Sequence, residues 1–195
     1  HTYDREQKHW RKVYSEKDTD RVMMPVGMHP DGKRFYARLS EPTGPDGLYL
    51  VAQDGSTELV IRDEVSNPTG FQSTLDNRAL IAVDFSAAGS KRHYVLPKHP
   101  DAVLLQALER SFPGQRVNFV NSSLDRGLVV FVVSSDTNPG EFYLYDRASK
   151  KAEYLASRAQ WIDPELMSHK RPISFSARDG EALHGWLTLP QGKDD

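Results

Sequence analysis

The chain of 195 residues has no cysteine. That absence excludes disulfides, thiolate nucleophiles and Cys-ligated zinc, and it leaves the compartment unreadable, because reducing and oxidising surroundings both tolerate a Cys-free protein. Long hydrophobic runs are lacking too. No stretch approaches the roughly 18 apolar residues of a membrane span, and the N-terminus lacks the charged-then-apolar-then-small pattern of a signal peptide, so no membrane partner is expected. Neither sign of charge dominates: 25 basic side chains stand against 27 acidic ones, a net charge of −2. Without a basic field to collect phosphates, nucleic acid is not an expected partner. What remains, 38% hydrophobic and 27% charged residues, is the composition of an ordinary globular domain with enough chain to bury a core.

Signatures of catalysis are scarce as well. Gly27-Met28-His29-Pro30-Asp31-Gly32-Lys33 has the spacing of a phosphate loop, but Arg34 stands where a magnesium-binding hydroxyl is needed, and the segment runs into a strand pattern. His1, His9, His29, His93, His99, His169 and His184 include no HExxH and no pair two or four residues apart, so no metal is expected. Ser122-Ser123 and Ser134-Ser135 lie at strand ends without a Gly-x-Ser-x-Gly elbow. Glu58 and Asp63-Glu64 read as solvated carboxylates. No catalytic residue and no cofactor follow from these patterns.

What is present is a repeat. Asp31, Asp76 and Asp125 each open a turn before an apolar strand, 45 and 49 positions apart, and Tyr49, Tyr94 and Tyr143 each follow 18 positions later, with Tyr145 at 20. Further short strands follow Asp54-Gly55 and Ala148-Ser149. A period of roughly 40 to 50 residues built from strands and turns marks a β-propeller, in which each repeat is one blade that neighbouring blades cover. A β-sandwich with chance Asp turns would not share this phase. In the second repeat a helix replaces the outer strand, with Asp101 as N-cap, an apolar stripe of Leu104, Leu108 and Phe112, and Pro113-Gly114 as its stop. The expected fold is mainly β, a partial β-propeller of antiparallel blades with one inserted helix and a C-terminal β-hairpin. A short helix or irregular lead-in is expected over residues 1–27, blades over 28–163 with the helix at about 101–112, and a linker and junction hairpin over 164–195.

That hairpin is the most specific stretch. Ile173-Ser174-Phe175-Ser176-Ala177-Arg178 alternates into Asp179-Gly180, and Ala182 to Pro190 runs back. Together with Phe142-Tyr143-Leu144-Tyr145-Asp146 and Pro164-Glu165-Leu166, the sequence Ala177-Arg178-Asp179-Gly180 followed by Gly185-Trp186-Leu187-Thr188-Leu189-Pro190 resembles the prolyl oligopeptidase family of serine peptidases, most of all its acylaminoacyl-peptidase and dipeptidyl-peptidase-like bacterial branch. The resemblance runs from about Met28 and is strongest from Asn118 to Pro190. It implies that a propeller gates an α/β-hydrolase domain beginning after the hairpin, that short peptides are the substrates, and that the oxyanion segment, nucleophile elbow, Asp and His all lie beyond Asp195. Glu41, Asp63, Arg126 and Arg158 are the blade-loop charges available to read a substrate terminus, and each reads equally as a solvated charge.

A start at His1 rather than Met, with an end five residues after Pro190, leads to the expectation of a piece of a longer protein. Such a piece, inert by itself, is expected to self-associate through open blade edges. The rival from another class is a stand-alone propeller-like module that binds a protein without catalysis.

Overall fold

A computed structural model describes residues 1–4, 8–86 and 91–192; residues 5–7 of the expected lead-in and 193–195 of the closing stretch lie outside the described residues. The chain forms two compact units, His1–Leu96 and Pro97–Asp195. The first carries a small hairpin of β1 (Thr2–Asp4) and β2 (His9–Arg11) and a one-turn helix α1 (Glu16–Thr19). A four-stranded meander follows, β3 (Met23–Met28), β4 (Phe35–Leu39), β5 (Gly47–Val51) and β6 (Thr57–Arg62), and then a three-stranded one, β7 (Pro68–Ser73), β8 (Leu80–Phe85) and β9 (Lys91–Tyr94). The second unit begins with α2 (Pro100–Ser111) and a four-stranded meander of β10 (Arg116–Ser122), β11 (Leu128–Ser134), β12 (Glu141–Asp146) and β13 (Lys151–Ser157). A 3-10 turn at Pro164–Leu166 leads to the hairpin of β14 (Lys170–Ser176) and β15 (Ala182–Thr188). The chain is mainly β, and its antiparallel meanders are the blades of a partial propeller.

The sequence period becomes a conserved register. The residue six places after each repeat aspartate pairs with the tyrosine eighteen places after it: Ala37 with Tyr49, Ala82 with Tyr94, and Phe131 with Tyr143. The two four-stranded blades also share their irregularities. The register shifts between Pro25 and Gly27 and between Phe119 and Asn121, and again after Leu48 and after Phe142, at matching distances from Asp31 and Asp125. Shared bulges give the two blades the same local twist.

The aspartates earn their phase by closing turns. Asp31 accepts from the Lys33 and Arg34 amides at 2.8 and 2.9 Å, Asp76 from the Arg78 amide at 3.1 Å, and Asp125 from the Gly127 amide at 3.0 Å. In each turn the residue after the aspartate, Gly32, Asn77 or Arg126, takes a positive φ of 67°, 56° or 60°. Two residues before the aspartate, Thr74 and Ser123 accept the incoming strand's first amide through their hydroxyls. These carboxylates therefore organise backbone.

The Arg34 amide beside Asp31 holds its carboxyl well below the usual carboxylate range; the Ser123 hydroxyl does so for Asp125 and the Ala148 amide for Asp146. A depressed folded-state value stabilises the fold above the unfolded value of about 3.9 and ceases to do so as pH falls through the folded one. The urea midpoint is accordingly expected to stay level above about pH 5 and to decline below about pH 4. Asp31→Asn should lower it at neutral pH and flatten that decline; an unchanged acid profile would remove the turn carboxylates from this role.

In the first unit Tyr36, Leu48, Leu80, Val83 and Phe85 form a core between the two sheets. Close approach is enforced at Gly27, where a Cβ would lie 2.8 Å from Leu80 Cβ. Ala37, Leu39 and Val51 make a second cluster, on which Val13 and Tyr14 of the lead-in pack. In the second unit α2 lies along β10. Its start differs from the sequence expectation: His99 is the N-cap, its ring nitrogen accepting from the Asp101 amide, while Pro100 opens the helix. Asp101 instead sits buried in the first turn, 2.7 Å from the Arg147 guanidinium. The buried stripe is correspondingly Ala102, Leu105 and Leu108, and Leu104 is half-buried.

Candidate functional site

The sequence-derived candidates separate into three kinds of place. Turn residues come first. Gly27 to Lys33 runs from strand β3 through a turn closed by the Gly32 amide on the His29 carbonyl, 3.0 Å, and into strand β4 rather than into a helix N-terminus. A backbone so arranged offers no cradle for phosphate. Ser123 and Ser135 cap turns through their hydroxyls. Asp63 accepts from the Val65 and Ser66 amides at 2.9 Å; burial works to raise its carboxyl, and those amides together hold it below the usual range. Glu58 and Glu64 are exposed.

The second kind is a half-buried polar knot in the first unit. The Arg21 guanidinium lies 2.7 Å from Glu41 Oε1 and 4.9 Å over the Tyr49 ring, and the Tyr49 hydroxyl donates to the same Glu41 oxygen. Burial, with Glu41 adding to it, pushes the Tyr49 phenol up. Glu41 is thus the one blade-loop candidate with a built environment, but its charge is already neutralised by Arg21. Arg126 occupies the left-handed turn position, and Arg158 lies 5.8 Å over the Phe142 ring. The four are not brought to one place within either unit: Glu41 and Asp63 belong to the first, Arg126 and Arg158 to the second.

The third place is the base of the closing hairpin. Asp136, in the turn after β11, accepts from the Lys170 amide at 2.8 Å and lies 3.2 Å from His169 Nδ1. Burial works to raise the Asp136 carboxyl, but the Lys170 amide and His169 outweigh it and hold it low. Across the base, Gln191 Nε2 donates to the Glu165 and Met167 carbonyls. Between these ties opens a cleft of about 460 Å³ lined by Pro164, Met167, His169, Arg171, Leu187 and Leu189, with Glu165 also on its wall. Further along the hairpin, Ser174 Oγ meets His184 Nδ1 at 2.8 Å. The two contacts, Asp with His and Ser with His, involve different histidines on different elements, and both are solvent-facing surface pairs. Their residues share no nucleophile–base–orienter line, which acyl transfer requires. Among the described residues no group of three or more His, Asp and Glu could hold a metal ion. Pairing of Ser174 with His184 was legible only through the hairpin register, and Asp136 carried no sequence signal.

Comparison with known proteins adds what this geometry lacks. No family model matches the chain. Over 86 residues, 44% of its length, it is 31% identical to "Dipeptidyl peptidase family member 6" of Caenorhabditis elegans. This chain resembles the prolyl oligopeptidase family. The chain spans 12% of that relative's length. Among solved structures it is similar to a puromycin hydrolase mutant (17% identity, TM-score 0.47), to one of two prolyl endopeptidases (12%, 0.47) and to a Mycobacterium tuberculosis puromycin-hydrolyzing peptidase (14%, 0.47). These alignments cover 85%, 88% and 88% of this chain and 25%, 25% and 26% of those chains. The prolyl oligopeptidase resemblance and the blades together describe a peptidase-related propeller segment.

Proposed function

We propose that this chain is the non-catalytic propeller portion of a serine oligopeptidase, where it restricts access to a hydrolase domain that cleaves short peptides. The observation that carries the reading is the 31% identity over 86 residues to a dipeptidyl peptidase family member. The closing hairpin supports it physically. β14 and β15 are ordered over seven residue pairs and tied at their base to the preceding blade, as a junction between two domains must be. A propeller acts as a filter because its blades form a rigid, covered wall whose openings admit only small molecules. The chain holds no complete nucleophile, base and oxyanion set among its described residues, so chemistry would come from the neighbouring domain.

The test is the open reading frame extended by about 250 residues past Asp195, the size of one further domain. A Gly-x-Ser-x-Gly elbow followed by Asp and His is expected. The extended protein should hydrolyse chromogenic dipeptidyl or acylaminoacyl substrates and take up a fluorophosphonate label, while the 195-residue chain does neither. A stop codon close to Asp195, or labelling of the short chain itself, would defeat the proposal; the former would leave the stand-alone binding module in its place.

A further inference from the structure

We infer that the closing hairpin is a self-complementary surface through which two copies of this chain pair, the tip of each hairpin entering the cleft at the base of the other. The inference does not rest on the peptidase reading. Alternation along the strands puts Arg171, Ile173 and Phe175 of β14 on one face, opposite Leu187, Gly185 and Leu183 of β15. The turn, closed by the Ala177 amide on the Glu181 carbonyl at 2.7 Å, continues that face to Glu181 at the tip. The face is apolar in its middle and charged at its ends, basic at the base through Arg171 and acidic at the tip through Glu181. Phe175 and Leu183 remain 56% and 42% exposed, more than a two-stranded hairpin tolerates without cover.

A two-fold axis crossing the middle of this face lays β14 against β14 of a second copy, head to tail, at the usual face-to-face spacing of about 10 Å. Three features then fit at once. Phe175 meets Ile173 of the second copy, and Leu183 meets Gly185, where a side chain would have only Ile173 within 3.8 Å, so large groups oppose small ones. Arg171 meets the acidic end carrying Glu181. The tip itself, Arg178-Asp179-Gly180, arrives at the cleft of about 460 Å³, whose wall offers His169 and Arg171 to the tip carboxylates and Glu165 to Arg178. An isologous contact of this kind makes every one of these matches twice.

Sedimentation equilibrium on the 195-residue chain, from about 1 µM to about 1 mM, reads the pairing directly. A monomer–dimer equilibrium is expected. Leu183→Glu should weaken it at least about tenfold, as should Arg171→Glu and Glu181→Arg separately. Far-UV circular dichroism confirms that each variant is folded; Glu181→Arg lies at the exposed tip and keeps the test open if the other two do not fold. An equal mixture of Arg171→Glu and Glu181→Arg should recover the lost association, because each altered residue then faces its opposite. A wild-type monomer across the whole range, undiminished association in Leu183→Glu, or no recovery on mixing would each overturn the inference.

Discussion

Replacing Phe131 with alanine is expected to cost the second unit about 4 kcal/mol, in the range measured for fully buried aromatic truncations. Phe131 is 0% exposed, its ring stacked on Tyr143 at 5.4 Å and edge-on to Phe112 at 5.9 Å. Three elements meet at that ring, since Phe131 belongs to β11, Tyr143 to β12 and Phe112 to the end of α2. Burial, with the Glu141 carboxylate accepting from its hydroxyl, pushes the Tyr143 phenol up to about 12, so Tyr143 stays protonated and fixed in place at neutral pH. Small side chains cannot collapse into the space because the register pairs Phe131 with Tyr143 directly across the sheet. Urea unfolding followed by circular dichroism measures the loss; a cost below about 1.5 kcal/mol would mean that the neighbouring rings repack around the change.

The second large effect is expected at Asp84. Its carboxylate grips Arg92 in a two-pronged contact, 2.7 Å to Nε and 3.0 Å to Nη2, and the Arg92 side chain is only 5% exposed. Asp84→Ala strips a buried guanidinium of that carboxylate and should destabilise the first unit by about 3 kcal/mol, toward the lower end of buried-pair truncations because Asp84 itself retains some solvent contact. Arg92→Lys should also be costly, since an ammonium cannot reproduce the planar fork. By contrast, replacing both residues with leucine should recover most of the loss, because no buried charge then remains. If the double variant proved as unstable as Asp84→Ala, the pair would be holding the strands by geometry rather than by cancelling charge. Gly70 belongs to the same arrangement: a Cβ there would meet Asp84 Oδ2 at 2.8 Å.

The repeat was legible because its two fixed points, an Asp turn and a tyrosine eighteen residues on, correspond to a backbone-capping interaction and a cross-strand partner. Both depend on the identity of single residues. The first strand of every blade was harder to see. Met23–Met28 contains Pro25 and Gly27, Pro68–Ser73 contains Pro68 and Gly70, and Arg116–Ser122 is bulged at Val120, so period-two alternation is broken where the sheet twists most. The helix was visible from its spacing, but its cap was not, because a histidine accepting an amide at Asp101 resembles no standard capping pattern. The lead-in hid its structure for another reason: Val13 and Tyr14 pack on residues of β4 and β5, contacts that local sequence does not encode. At the hairpin the strands could be read and the base could not, because Asp136 acts on Lys170 across 34 positions.

The closing hairpin is secured at its root by Asp136 and Gln191, and its outer length is largely exposed. Mechanically it is a cantilever. Seven residues of strand extend about 23 Å, so a turn of about 10° at the root sweeps the Asp179-Gly180 tip through about 4 Å, close to the width of one strand spacing. A displacement of a fraction of an ångström in the loop carrying Asp136 is thereby multiplied several-fold at the far end. Whatever rests against that tip receives the motion of the last blade as leverage.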